Sequence, residues 1–276
     1  MPEGCAVSDP ADVYRDLVAE GAAVDQILSG LDPGQWDLQT PAPGWTVKHQ
    51  VAHLSSIVSI AKLTVTDPDT FRQLAAGAAK DFDGAVNALL TPYLSASPAD
   101  LLARWRTERD AANEALSAVP PDQILPWVAR DIPAGMLASA GLMELFAHGQ
   151  DIVDAVGLRR DYDDKIRHLA GFGARNWNFG YLARGLTPPD VQFRFELTAP
   201  SGARWEFGPA DATERVEGQA LDFCMLVTRR RHRDDLALKA TGAEADRWMD
   251  IAQSYRGSPG AGRQPGQFKQ PSAPRP

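Results

Sequence analysis

Cysteine is nearly absent: Cys5 and Cys224 are the only two in 276 residues, far apart and without a pairing pattern. That excludes a disulfide framework and a cysteine-built metal site, and it fits a reducing, cytoplasmic setting. No window of about 18 uninterrupted apolar residues occurs, so no membrane span is expected. The N-terminus lacks a basic stretch leading into an apolar run, so no signal peptide is expected. Basic residues are outnumbered, 28 against 36 acidic, for a formal net charge of −8, which leaves no chain-wide footprint for nucleic acid. No internal repeat is present. What is there is a chain with 44% hydrophobic residues, enough for a sizeable core in one large domain or two modest ones.

The first two thirds read as helical. Residues 11–30 place Val13, Leu17, Val24, Ile27 and Leu28 on one side of an amphipathic helix. The Pro/Gly loop TPAPGW at 40–45 feeds a second helix over 46–66. Residues 68–94 are helical but looser, suited to short helices or a lid. SPAD opens a helix over 98–118, and IPAG at 132–135 opens another that ends near Gly157. A further helix is expected over 163–184. After TPPD the texture changes. VQFRFELTAP alternates strictly, and SG before ARWEF marks a hairpin. ATERVEGQ is a candidate third strand, and 218–231 and 243–255 look helical. The pattern predicts an α+β chain: a helical domain over 1–186, a small α+β domain over 187–256, and a Gly/Pro/Gln-rich flexible tail over 257–276.

Three residues on two of these helices have metal-ligand chemistry. Glu144 and His148 are spaced i, i+4, which puts both on one helix face. On a helical wheel His148 lies about 40° from Glu144, and Leu145, Ile152, Val153 and Val156 fill the adjacent sector. His53 borders the stripe formed by Val51, Leu54, Ile57 and Val58 on its own helix. Two helices packed by these stripes would aim all three side chains into one seam, as in bundle metal sites. A histidine beside an apolar stripe also serves as a hydrogen-bonded core residue, and Glu/His at i, i+4 is a common exposed pair. His49, one turn before His53, points further from the stripe and is assigned to the rim of the site. Asp151 either orients a ligand or is solvated.

WDLQTPAPGWTVKHQVAHL, with LMELFAHGQDIVDAVG about ninety residues later, resembles the DinB-like metal-binding superfamily. The similarity is strongest to its actinobacterial branch, which includes the mycothiol-dependent maleylpyruvate isomerases. GQALDFCMLVTRRRH and WMDIAQSYRGSPGAGRQPGQF look like a family of uncharacterised actinobacterial metal-binding proteins in that branch. The resemblance implies a DinB-like four-helix bundle with a divalent metal, zinc as the expected ion, held by His53, Glu144 and His148. It implies a C-terminal α+β domain that closes over the site, and mycothiol, a small cytoplasmic thiol, as co-substrate. The chain departs from the usual family text at His49, where an acidic residue is more usual.

Three ligands leave a coordination position open, and a thiol bound there loses its proton to give the nucleophilic thiolate. Addition to an electrophilic small molecule leads to isomerisation or to thiol transfer. The alternatives are a thiol-independent hydrolase or cyclase of specialised metabolism, and a non-catalytic metal- or ligand-binding protein. Arg229, Arg230 and Arg231, with His232 and Arg233, form the one dense basic run, read as an anion clamp for thiol or substrate or as a solvated helix end. Trp45, Trp127 and Trp177 are candidates for lining the site or for core packing. The expected partners are a thiol and a small electrophile, with no nucleic acid and no membrane, in a monomer or homodimer.

Overall fold

The computed structural model describes residues 12–78, 81–128 and 130–268. Cys5 and the tail beyond Phe268 lie outside them. The protein is mostly helical, with a four-stranded sheet and a two-stranded ladder among the described residues, and separates into two compact units, 1–149 and 150–276. This division falls inside one long helix, whereas the change of sequence texture falls near 186.

The first unit is a bundle. Helices α1 (Asp12–Ser29), α2 (Val47–Thr66), α5 (Pro98–Ser117) and the first two thirds of α6 (Ala134–Val156) surround its core. Val24, Leu28, Val51, Leu54, Leu101, Trp105 and Phe146 are buried there, as their helical spacing requires. The loose stretch 68–94 forms two short helices, α3 (Pro68–Ala78) and α4 (Phe82–Leu94). Local chemistry sets the helix starts. Ser97 Oγ accepts from the Asp100 amide at 3.2 Å with Pro98 in the first turn of α5, and Asp81 Oδ1 accepts from the Gly84 amide at 2.9 Å. A two-residue ladder, β1 (Ile124–Leu125) with β2 (Ile132–Pro133), leads into α6.

The second unit opens with the end of α6, where Gly157 (φ +71°) stops the helix and the Leu158 amide closes onto Val153 O at 2.9 Å. Instead of one helix over 163–184 there are two, α7 (Ile166–Arg175) and α8 (Phe179–Leu182). They are separated at Asn176, whose side-chain amide donates to Phe172 O at 2.9 Å and competes with helix continuation. The sheet has the order β4-β3-β5-β6, with β3 (Phe193–Thr198), β4 (Arg204–Phe207), β5 (Glu214–Gln219) and β6 (Leu238–Thr241). β3 and β4 form the expected hairpin, and β5 lies parallel to β3. Phe193, Phe195 and Leu197 point inward onto Phe223 of α9 (Ala220–Val227) and Trp248 of α10 (Ala243–Ile251). Trp177 belongs to this core: its ring lies 4.5 Å from Phe193, and its carbonyl accepts from Trp248 Nε1 at 2.8 Å.

The expectation of a flexible segment from residue 257 is corrected for 257–268. Arg263 is buried and reaches Asp151 Oδ1 at 2.5 Å, the Gly266 amide donates to Asp235 at 2.8 Å, and Phe268 lies under the Arg231 guanidinium at 4.0 Å. The segment has little apolar content and is held by charge and hydrogen bonds instead.

Candidate metal centre

The Pro/Gly loop before α2 builds one wall of the site. Gly44 takes φ +78°, the Trp45 amide donates to Ala42 O at 3.0 Å, and the Thr40 amide donates to Trp45 O at 2.8 Å. The Trp45 ring is thereby set 5.4 Å from the His53 ring and 5.9 Å from the His148 ring, the latter nearly parallel at 22°.

α2 and α6 bring His53, Glu144 and His148 together, as the wheel predicts. His53 Nε2 lies 3.3 Å from Glu144 Oε2, and His148 Nε2 lies 3.1 Å from the same oxygen. The three donor atoms fall within 4.8 Å of one another. Burial opposes ionisation of Glu144, but the contacts with His148 and His53 outweigh it and hold its carboxyl well below the usual carboxylate range. These spacings fit a divalent cation. Ligands about 2.0–2.1 Å from a tetrahedral ion stand roughly 3.3 Å apart, close to the two separations measured from Glu144.

Sequence reasoning missed Gln50. It is fully buried, and its Oε1 lies 2.5 Å from His148 Nδ1. The neighbouring bonds fix the roles. Thr40 Oγ1 donates its one hydrogen to Trp45 O at 2.7 Å, so it must accept from Gln50 Nε2 at 2.8 Å. Gln50 therefore turns its carbonyl oxygen to His148, and His148 Nδ1 carries the proton. Nε2, which faces Glu144, is then the nitrogen that would give up its proton to a metal. The available signal was a polar residue inside an apolar helix face, one turn before His53.

His49 stands outside the donor cluster, as expected. Its Nδ1 accepts from the Thr46 amide at 3.2 Å and lies 2.8 Å from Thr46 Oγ1, closing the first turn of α2. Burial and the nearby Lys48 push its pKa down, which favours the neutral ring that this contact needs.

The remaining candidates lie in the second unit. The helix expected to run to 231 ends at Val227, so the arginines occupy the following turn, with Arg229 at φ +58°. Arg230 pairs with Asp151 at 3.0 Å, and Arg231 grips Asp154 with two bonds of 2.7 and 2.8 Å. The run is not a solvated helix end, because the charges of Arg230 and Arg231 are matched by aspartates of their own unit. Asp151 is likewise not solvated: it is buried between Arg230 and Arg263. Trp127, in the first unit, stacks on Phe71 at 5.5 Å and lines a cavity that Glu144 also borders.

A bundle with two imidazoles and a carboxylate converging from facing helices, together with a small α+β unit, defines the DinB-like class of metal-binding fold. The crystal structure of the mycothiol-dependent maleylpyruvate isomerase has a TM-score of 0.55 to this chain at 15% identity, over 84% of this chain and 92% of that one. A variant of that enzyme gives 0.53 at 15% identity, over 79% and 88%. Residues 17–153 match the family described as the mycothiol maleylpyruvate isomerase N-terminal domain, and residues 189–241 match one described as wyosine base formation. An uncharacterized protein of Mycobacterium tuberculosis is 41% identical over 257 residues, 93% of this chain and 100% of its own length. The chain belongs to the DinB-like family that carries the mycothiol maleylpyruvate isomerase N-terminal domain. No helix among the described residues is long and apolar enough to cross a membrane.

Proposed function

We propose that this protein is a metal-dependent enzyme that activates a small thiol of the mycothiol type for addition to an electrophilic substrate. The observation that carries this reading is the convergence of His53 Nε2, Glu144 Oε2 and His148 Nε2 at ligand-to-ligand spacing. His53 Nε2, Glu144 Oε2 and His148 Nε2 would hold a divalent cation, with zinc the expected ion, which would supply the positive charge that lowers the pKa of a thiol. Gln50 keeps His148 in the tautomer that offers Nε2, and Glu144 supplies a negative charge that favours a cation at the seam. The Trp45 ring lies beside the two imidazoles and forms an apolar wall next to them. Addition of the thiolate to an activated double bond is the common first step. Rotation about the resulting single bond and loss of the same thiolate gives an isomer; loss of a different group leaves the thiol attached.

The name of the matching family and the fold of the isomerase support the thiol, and the donor set supports the metal. The test is cobalt substitution followed by titration with mycothiol. A thiol-dependent change in the cobalt visible spectrum, lost in His148→Ala, is expected. A metal-loaded protein whose spectrum no thiol perturbs would contradict the thiol part of the reading.

A further inference from the structure

The bundle core is not completely filled. A cavity of about 50 Å³ lies between α1, α2, α5 and α6, walled by Leu17, Leu54, Val58, Leu116, Leu137 and Leu145. Glu144, one of the three candidate ligands, forms part of its wall, so the cavity adjoins the metal centre. That volume exceeds the roughly 10–15 Å³ that one water needs, but an ordered water also needs two to four polar partners, which these side chains do not offer. Besides Glu144, the polar residues in the wall are Asn113 and Arg109.

Arg109 is the one cation among the described residues of that wall, and its charge is already matched. Its guanidinium meets Asp25 at 3.1 Å, Asp110 at 2.9 Å and the Gly21 carbonyl at 3.3 Å, and its plane lies over Trp105 at 4.7 Å. A carboxylate pushed in among these aliphatic side chains, beyond reach of the metal ligands, would be a buried charge with no unmatched cation in the protein wall, an arrangement that costs heavily. An apolar group would displace poorly bonded water and cover aliphatic surface.

We propose that this cavity is part of the substrate site and that it takes a small uncharged alkyl group, so the electrophile carries a short apolar substituent, not a second carboxylate, at that end. The inference rests on the metal-and-thiol reading for the word electrophile, but the binding it predicts needs no thiol and no turnover.

The experiment uses the full-length, zinc-loaded protein and non-reactive probes. Methyl propyl, methyl pentyl and methyl heptyl ketone are titrated against Trp fluorescence, which Trp127 in the cavity wall reports, with succinate and its longer diacid homologues as the dianionic comparison. Affinity for the ketones should rise by about fourfold per added methylene until the cavity is full, whereas the diacids should show no such rise, because a second carboxylate would have to enter the apolar wall. Ala112→Leu projects new side chain into the cavity from α5 and should flatten the series while zinc stays stoichiometric. Ala61→Leu does the same from a half-buried position on α2, and serves if Ala112→Leu does not fold. A flat ketone series in the wild type, a diacid series that rises as steeply as the ketones, or an unchanged slope in a folded leucine variant would overturn the proposal. Each of these outcomes is independent of the cobalt–thiol titration, so failure of the apolar subsite and failure of the thiol reading are told apart.

Discussion

Gln50 and His148 are joined by a 2.5 Å contact between Oε1 and Nδ1, across from α2 to α6. This contact decides which nitrogen of His148 faces Glu144. Replacing Gln50 with Leu removes the acceptor that holds Nδ1 of His148. Loss of such a supporting partner typically costs about 10–100-fold in metal affinity. Competition with a chromogenic chelator should show a drop of that size for Gln50→Leu, with an unchanged far-UV circular dichroism spectrum. Wild-type affinity would mean that the contact does not orient the ligand.

Arg263 should matter to stability although it lies in a segment that looks disposable. Asp151 is fully buried between Arg263 and Arg230. Arg263→Ala leaves the carboxylate with one of its two cations, a loss of about 1–3 kcal/mol. For a chain of this size each kcal/mol is worth roughly 2–4 °C in the thermal midpoint. Truncation after Tyr255 should cost at least as much as Arg263→Ala. A truncated chain that melts with the wild type would show that the segment contributes nothing.

The convergence of His53, Glu144 and His148 was legible because two facts coincided: an i, i+4 pair beside an apolar stripe on one helix, and His53 beside a stripe on another. The β3–β4 hairpin was legible from strict alternation and a Gly turn. Gln50 was not, because its role exists only once α2 and α6 face each other. β6 was missed because LKAT is four residues long with a lysine inside, too short for alternation to register. The docking of 257–268 was hidden because it rests on Arg263 finding a carboxylate 112 residues away, which local composition cannot encode.

Asp25 gives a pH signature. Burial would raise its pKa, but hydrogen bonds from Arg106, Arg109 and Ser29 outweigh this and lower it from the ordinary value of 3.8. A lowered native pKa adds stability that is full above the ordinary value and fades as pH falls through the native one. Asp25→Asn lacks that contribution. The gap between the urea midpoints of wild type and Asp25→Asn should therefore be constant near neutrality and close below about pH 4. A gap that widens with acid would reverse the sign of the argument.

Cys224 should be silent. It is fully buried in α9, its sulfur 3.8 Å from Ile166 O, and burial pushes its thiol pKa far up. In a Cys5→Ser background, Ellman's reagent should label no thiol in the native protein and one after denaturation. Rapid native labelling would place Cys224 within reach of solvent and of the electrophiles this protein is proposed to handle.

The most direct test of the central claim is the metal content of purified protein by inductively coupled plasma mass spectrometry, compared across single alanine variants. Wild type and His49→Ala should each carry about one divalent metal per chain, because His49 spends its Nδ1 on the cap of α2. His53→Ala and His148→Ala should carry none at stoichiometric level. Full retention of metal in His148→Ala, or loss in His49→Ala as complete as in His53→Ala, would contradict the assignment of His53, Glu144 and His148 as the ligands.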